Sequence, residues 1–241
     1  MKREKIDFVI EGNNDSDKTL VCVHGFGTNK DGGEGLFLDI SKQLQSELRI
    51  IRFDFTGYGK SGGRQEDATL SKHKNDLDFI LNYAKREFGE EIYIVAHSIG
   101  CFVVSLLSPD DIFKTIFSGI PNSDTSIIIN FLKNRITAKG GNFNKGGISI
   151  YPRTSGDIQK VGANFWRDLE VFEPIESIGK YSKKTKLLII HPMEDEIIGG
   201  RAIDEYKRIE DIEYLEISGT HNYSRKLDRE NLIKHIKKFL L

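Results

Sequence analysis

A single serine, Ser98, stands where a strand-like run stops and a helical run starts. Ahead of it Ile92, Ile94 and Val95 are β-branched within a nearly continuous apolar stretch, the composition of a central parallel strand covered on both faces. Behind it the apolar residues from Ile99 to Val104 predict a helix. Ala96 and Gly100 flank the serine at minus two and plus two, where larger side chains would block a tight strand-to-helix turn. Held on such a turn, the Ser98 hydroxyl projects above the sheet edge. The unsatisfied N–H groups of the following helix then point at negative charge forming on an attacked carbon's oxygen. An alcohol is a poor nucleophile at neutral pH, so this chemistry needs a base brought in from elsewhere.

Three other segments end predicted strands with residues of chemical interest. Residues 20–23 run into His24-Gly25-Phe26-Gly27, whose glycines let the backbone approach a ligand. Residues 186–190 run into His191-Pro192-Met193-Glu194-Asp195-Glu196, and the final predicted strand, 212–217, into Ser218-Gly219-Thr220-His221. Singly, each reads equally well as a plain turn or surface loop. Their common position, at the carboxyl ends of predicted parallel strands, is where open α/β sheets place their sites.

Taken in order, these segments resemble the α/β-hydrolase superfamily. Residues 96–100 are similar to its G-x-S-x-G elbow, with Ala96 in place of the first glycine. The His24–Gly27 loop resembles the segment that supplies half of its oxyanion hole. The D-x-x-G-x-G-x-S pattern from Asp54 to Ser61 resembles a structural loop of the family, and Asp54 and Ser61 are expected to hold it by side-chain hydrogen bonds. The segment from His191 resembles the acid-bearing H-G-x-x-D, with Pro192 replacing glycine, and Gly219-Thr220-His221 resembles the G-x-H segment of the base. The order Ser, Asp, His is that of the fold. The resemblance implies Ser98 as nucleophile, His221 as general base and Asp195 as orienting acid, with the N–H groups of Phe26 and Ile99 as oxyanion donors. Asp124, after the preceding strand, is a second candidate for the acid, and Glu194 and Glu196 are spare carboxylates. It further implies a serine hydrolase that cleaves a carboxylic ester or thioester through an acyl-enzyme, without metal or organic cofactor, closest in motif to small carboxylesterases and feruloyl-esterase-like proteins. Thioesterase, lipase-like and peptidase activities stay open, as does a non-catalytic binding protein on the same scaffold.

The elements that must position these residues follow from periodicity. Residues 5–11 alternate as an edge strand. Residues 36–48 and 70–88 predict amphipathic helices, with His73 assigned to the solvated side of the second. Arg49 to Asp54 and Thr115 to Ser118 predict strands, residues 202–209 a helix, and residues 227–241 a closing helix. The alternation argues for a mostly parallel sheet with helices on both faces. Between residues 121 and 184 the rhythm breaks, which predicts a short cap inserted after the sixth strand, the core being residues 1–120 and 185–241. In the cap, residues 127–136 and 164–172 predict helices, and Phe131, Phe143, Phe165 and Trp166 are candidates to line an acyl or aromatic site.

At 241 residues one domain with a large core is expected. The 35 basic and 36 acidic residues nearly cancel, so no strong field invites nucleic acid or an anionic membrane, and the expected partner is a small molecule. The glycines between Gly57 and Gly63 lack the helix start and downstream acid of a dinucleotide site. Cys22 and Cys101 lie in apolar runs with no metal or disulfide spacing. Residues 1–5 lead into a strand with no apolar signal core, and no apolar stretch is long enough to span a bilayer, so a soluble cytoplasmic protein is expected. Oligomeric state is open.

Overall fold

Strand β4 (Glu91–His97) is the middle member of a seven-stranded sheet and the strand that carries Ser98 at its end. The computed structural model describes residues 4–89, 91–197 and 204–241. Its other elements are β1 (Phe8–Gly12), β2 (Lys18–Val23), α1 (Leu36–Leu44), β3 (Arg49–Phe53), α2 (Leu70–Phe88), α3 (Ile99–Leu107) and β5 (Ile112–Ser118). These are followed by α4 (Thr125–Ala138), β6 (Ser149–Pro152), β7 (Ile158–Val161), α5 (Ala163–Glu170) and α6 (Pro174–Tyr181). The chain closes with β8 (Lys186–Pro192), β9 (Ile212–Ile217) and α7 (Lys226–Leu240). The sheet order is β1-β3-β2-β4-β5-β8-β9, with β1 antiparallel to β3 and every other pairing parallel.

The inner strands β2, β4 and β8 are mostly apolar because both their faces are covered, and successive residues feed opposite layers. Leu20, Cys22, Tyr93 and Val95 pack with α1 and α7 on one face. Val21, Val23, Ile92, Ile94 and Ala96 pack with α2 and α3 on the other. Helix α2 spans the predicted residues 70–88, capped by Thr69, whose hydroxyl accepts the Lys72 N–H at 3.1 Å. Both cysteines are buried and free of any disulfide.

Four expectations need correction. His73 is not solvated: it is 4% exposed and stacks on Phe55 with ring centroids 4.3 Å apart. It follows Leu70 by three residues and precedes Leu77 by four, so it belongs to the buried stripe of α2. The segment from residue 121 to 184 follows the fifth strand, not the sixth, because a single antiparallel strand opens the sheet. It also contains a two-stranded hairpin, β6–β7, that alternation in such short segments did not reveal, and its last helix, α6, packs against α3 as a cover of the sheet. Of the helix expected over residues 202–209, Ala202 and Ile203 lie outside the described residues, and the remainder forms only a single 3₁₀ turn, Tyr206–Arg208.

Candidate active site

Phe26, Ser98, Asp195 and His221 all lie just beyond the carboxyl ends of parallel strands. Ser98 takes φ 55° and ψ −132°, a left-handed backbone that a serine adopts only when its surroundings impose it. Two imposing contacts are visible. A Cβ at Gly100 would meet the Val23 carbonyl at 2.4 Å and the His24 carbonyl at 2.7 Å, so helix α3 leaves the turn pressed against β2. A Cβ at Gly25 would meet the Ser98 Cβ at 2.8 Å, so the loop after β2 lies directly against the serine.

The structure brings Ser98, His221 and Asp195 together in one line. His221 Nε2 lies 3.1 Å from Ser98 Oγ, and His221 Nδ1 lies 2.8 Å from Asp195 Oδ2. A carboxylate only accepts, so Nδ1 carries the ring proton and Nε2 is left to accept from the serine hydroxyl. The His221 and Asp195 side chains are 6% and 2% exposed, which keeps the pair largely out of water. Asp124 is elsewhere: it is the N-cap of α4, accepting the Ser126 N–H at 2.9 Å. Glu194 pairs with Arg225, while Glu196 accepts the backbone N–H of His221 at 3.3 Å.

The loops bearing Asp195 and His221 are fastened to one another and to the body. Met193 and Glu194 donate their N–H groups to the carbonyls of Ile217 and Gly219, each at 2.9 Å. Arg229, 7% exposed on α7, donates to the carbonyls of Asn222 at 2.8 Å and Tyr223 at 3.1 Å, and pairs with Asp39 of α1 at 2.7 Å. Gly119, at φ 54°, leaves room for two imidazoles: a Cβ there would meet His97 at 2.7 Å and His221 at 3.4 Å.

His24 has a part that its sequence position did not disclose. The Phe55 N–H donates to His24 Nε2 at 3.1 Å, so the ring proton sits on Nδ1 and is donated to the Gly25 carbonyl at 2.9 Å. Burial holds the His24 pKa down to about 4, so the ring is neutral and this tautomer persists at neutral pH. In a trans peptide the carbonyl and the following N–H point in opposite directions. Fixing the Gly25 oxygen therefore fixes the direction of the Phe26 N–H. The Ile99 N–H, the first of α3, is the other expected donor beside Ser98. The structural part expected for Asp54 and Ser61 is visible: Asp54 accepts the N–H groups of Lys30 at 2.6 Å and Lys60 at 2.8 Å, and the Ser61 hydroxyl donates to the Asp54 carbonyl at 2.6 Å.

Ser98 and His221 open onto a cavity of about 120 Å³ walled by Pro121, Ile128, Phe131 and Leu132. Of the four aromatic candidates only Phe131 lines it. Phe165 and Trp166 are 1% and 0% exposed, and Phe143 packs edge-on against Trp166 at 5.1 Å, so these three serve packing and do not line the cavity. A larger groove, about 870 Å³, lies at the amino ends of β5, β8 and β9 and holds none of the candidate residues. Among the described residues no helix is long and apolar enough to cross a membrane, and no group of three or more His, Cys, Asp or Glu side chains is arranged to hold a metal.

A family model for the alpha/beta hydrolase fold matches residues 18–126. The sheet order, the elbow and this match agree. The chain is an α/β-hydrolase-fold protein. Across 98% of its length this α/β-hydrolase-fold chain superposes on 94% of Est1E from Butyrivibrio proteoclasticus, solved with ferulic acid bound, with a TM-score of 0.78 at 23% identity. It also superposes on a monoacylglycerol lipase from Paleococcus ferrophilus, with a TM-score of 0.68 at 16% identity and 98% coverage of both chains. In sequence it is 31% identical over 98 residues to the probable lysophospholipase BODYGUARD 1 of Arabidopsis thaliana. That stretch is 39% of this chain and 20% of the relative.

Proposed function

We propose that the protein is a serine hydrolase that cleaves a carboxylic ester or thioester through an acyl-enzyme on Ser98. The observation that carries this reading is the hydrogen-bonded line Ser98–His221–Asp195 facing a cavity with an apolar wall of Pro121, Ile128, Phe131 and Leu132. Ser98 Oγ attacks the acyl carbon as its proton passes to His221 Nε2. The same proton is then returned to the leaving group. Asp195, bonded at Nδ1, holds the tautomer and stabilises the imidazolium that forms. The N–H groups of Phe26 and Ile99 bind the oxyanion, each worth about 3–4 kcal/mol of transition-state stabilisation by the cost of deleting one such donor elsewhere. Water activated by His221 then releases the acid.

We read residues 121–184 as the cap, within which α4 and the β6–β7 hairpin wall the cavity and α6 completes the layer over the sheet. A cavity of about 120 Å³ is slightly smaller than an engineered cavity of about 150 Å³ that holds benzene. That size favours a short acyl group or a single ring. The esterase and lipase names among the structural relatives support the reaction class, and their different substrates leave the substrate to this chain's own pocket.

The test is turnover of p-nitrophenyl esters of increasing chain length by the wild-type protein and by Ser98→Ala. Turnover that is strongest for short chains and absent in Ser98→Ala supports the proposal. Equal turnover by both proteins overturns it.

A further inference from the structure

Helix α4 changes character along one face. Ile128, Phe131 and Leu132 wall the Ser98 cavity, and Arg135 and Lys139 continue the same face at helical spacing toward its mouth. There the cavity opens into an outer groove of about 700 Å³, shared by Arg135 and joined from the β6–β7 hairpin by Arg153. We propose that the substrate of Ser98 carries an anionic group, a carboxylate or a phosphate, and that Arg135, Arg153 and Lys139 bind it at this mouth. The proposal rests on the hydrolase reading given above.

The three cations are half-buried, yet among the described residues none of them is in an ion pair. Buried arginines elsewhere in the chain do have carboxylates: Arg52 pairs with Glu11 and Asp31, and Arg229 with Asp39. At the mouth only neutral groups meet the cations. Arg153 lies over the Tyr151 ring at 4.8 Å, donating from Nη1 to Gln159 Oε1 at 3.1 Å and from Nη2 to the Gly27 carbonyl at 3.3 Å. Lys139 Nζ donates to Thr154 Oγ1 at 2.6 Å, and Arg135 lies 5.7 Å from the centroid of Phe131. Two carboxylates, Glu34 and Asp157, line the outer groove, but they take Asn222 Nδ2 at 3.4 Å and Ser155 Oγ at 2.7 Å instead. Desolvation, followed by the charges of Arg135 and Arg153, holds the Lys139 ammonium below its ordinary range, as expected where like charges meet without a counter-ion.

The geometry suits a ligand that is apolar at one end and anionic at the other. Seven residues of helix separate Ile128 from Arg135, an axial distance of roughly 10 Å. The cavity takes the short apolar part next to Ser98, and the cations take the charge about that far away. Arg153, fixed by ring and carbonyl, offers its guanidinium already oriented, so little side-chain entropy is lost on binding.

The experiment compares two matched pairs of esters. In the first, p-nitrophenyl hexanoate is set against the p-nitrophenyl monoester of adipic acid, which adds a carboxylate on the acyl side. In the second, 1-butyrylglycerol is set against 1-butyrylglycerol 3-phosphate, which adds a phosphate on the alcohol side. The expected result is that kcat/KM favours the anionic member of at least one pair by tenfold or more at low salt. That preference falls at least tenfold in Arg135→Gln and Arg153→Gln, persists in the surface variant Lys234→Gln, and weakens as salt is added. The pair that shows it identifies the anion and its side of the ester. No preference in either pair, or one that survives the Arg135→Gln/Arg153→Gln double variant, overturns the proposal. Calorimetric titration of Ser98→Ala with adipate and with glycerol 3-phosphate separates the two layers of the argument. Binding that depends on Arg135 and Arg153, with no hydrolysis of any ester, leaves the anion site standing and removes the hydrolase reading. Hydrolysis of the neutral esters without anion preference does the reverse.

Discussion

Replacing His24 with leucine tests how the loop proposed to supply the Phe26 oxyanion donor is held. The substitution keeps the side chain apolar and of similar bulk while removing two hydrogen bonds, from the Phe55 N–H at 3.1 Å and to the Gly25 carbonyl at 2.9 Å. Only the Phe55 N–H is left without a partner, because the Gly25 carbonyl still accepts from the Thr28 hydroxyl at 3.3 Å, so urea unfolding should show a loss of about 1–3 kcal/mol. The catalytic effect is separate. Deleting an oxyanion donor outright lowers kcat by roughly 10²- to 10³-fold, and a donor that is present but no longer aimed forfeits part of this, so kcat for a p-nitrophenyl ester should fall about 10- to 100-fold. KM should change little, because the donor is used in the transition state and hardly in the ground state. His73→Leu is the control. It is equally buried and stacks on Phe55, yet touches neither Gly25 nor Phe26, so it should cost stability while kcat stays near the wild-type value. A folded His24→Leu protein with kcat within twofold of wild type would refute the claim that His24 aims the Phe26 N–H.

Other expectations follow from the same geometry. Burial lowers the pKa of His24 to about 4 and of His73 to about 3, from an ordinary value of 6.5. Between pH 6.5 and those values the unfolded chain binds protons that the folded chain refuses, so stability is full above pH 6.5 and is lost as the pH falls. At pH 5 the loss is about 2 kcal/mol for each of these two histidines, and urea unfolding at pH 7 and 5 should show it, with His73→Phe removing about 2 kcal/mol of the difference between the two pH values. Asp195→Asn should lower kcat by roughly 10⁴-fold by releasing the wrong imidazole tautomer, as acid-to-amide replacement does in another serine hydrolase. By contrast Asp124→Ala should leave kcat unchanged and cost about 1 kcal/mol as a lost helix cap. Gly100→Ala sets a Cβ 2.4 Å from the Val23 carbonyl, and melting curves with turnover assays should show both stability and activity reduced.

Most of the sheet was legible because β2, β4 and β8 are covered on both faces and their sequences carry no competing signal. The short hairpin β6–β7 was not. Four residues a side, one a proline, give too little alternation, and the pair is held by distant partners such as Trp166, whose indole N–H donates to Ser149 Oγ at 3.2 Å. His73 reads as solvated because it stands among charged and polar residues, and only the burial of Leu70 one turn before it shows that the covered stripe of α2 reaches that far. The positions of Ser98, Asp195 and His221 could be read because each sits within a few residues of a strand end. Residues that act across the fold could not. Arg229 reaches Asp39, 190 positions away, and the roles of His24, Arg135 and Arg153 exist only once β3, α4 and the hairpin surround the same loop.

The central claim is that Ser98, made nucleophilic by His221 and Asp195, is the residue that becomes acylated. Labelling the folded protein with a fluorophosphonate and mapping the adduct by peptide mass spectrometry tests it directly. The account predicts one adduct, on Ser98, that forms slowly or not at all in His221→Ala. An adduct on another residue, or a Ser98 that stays unmodified while the protein turns over esters, would contradict it.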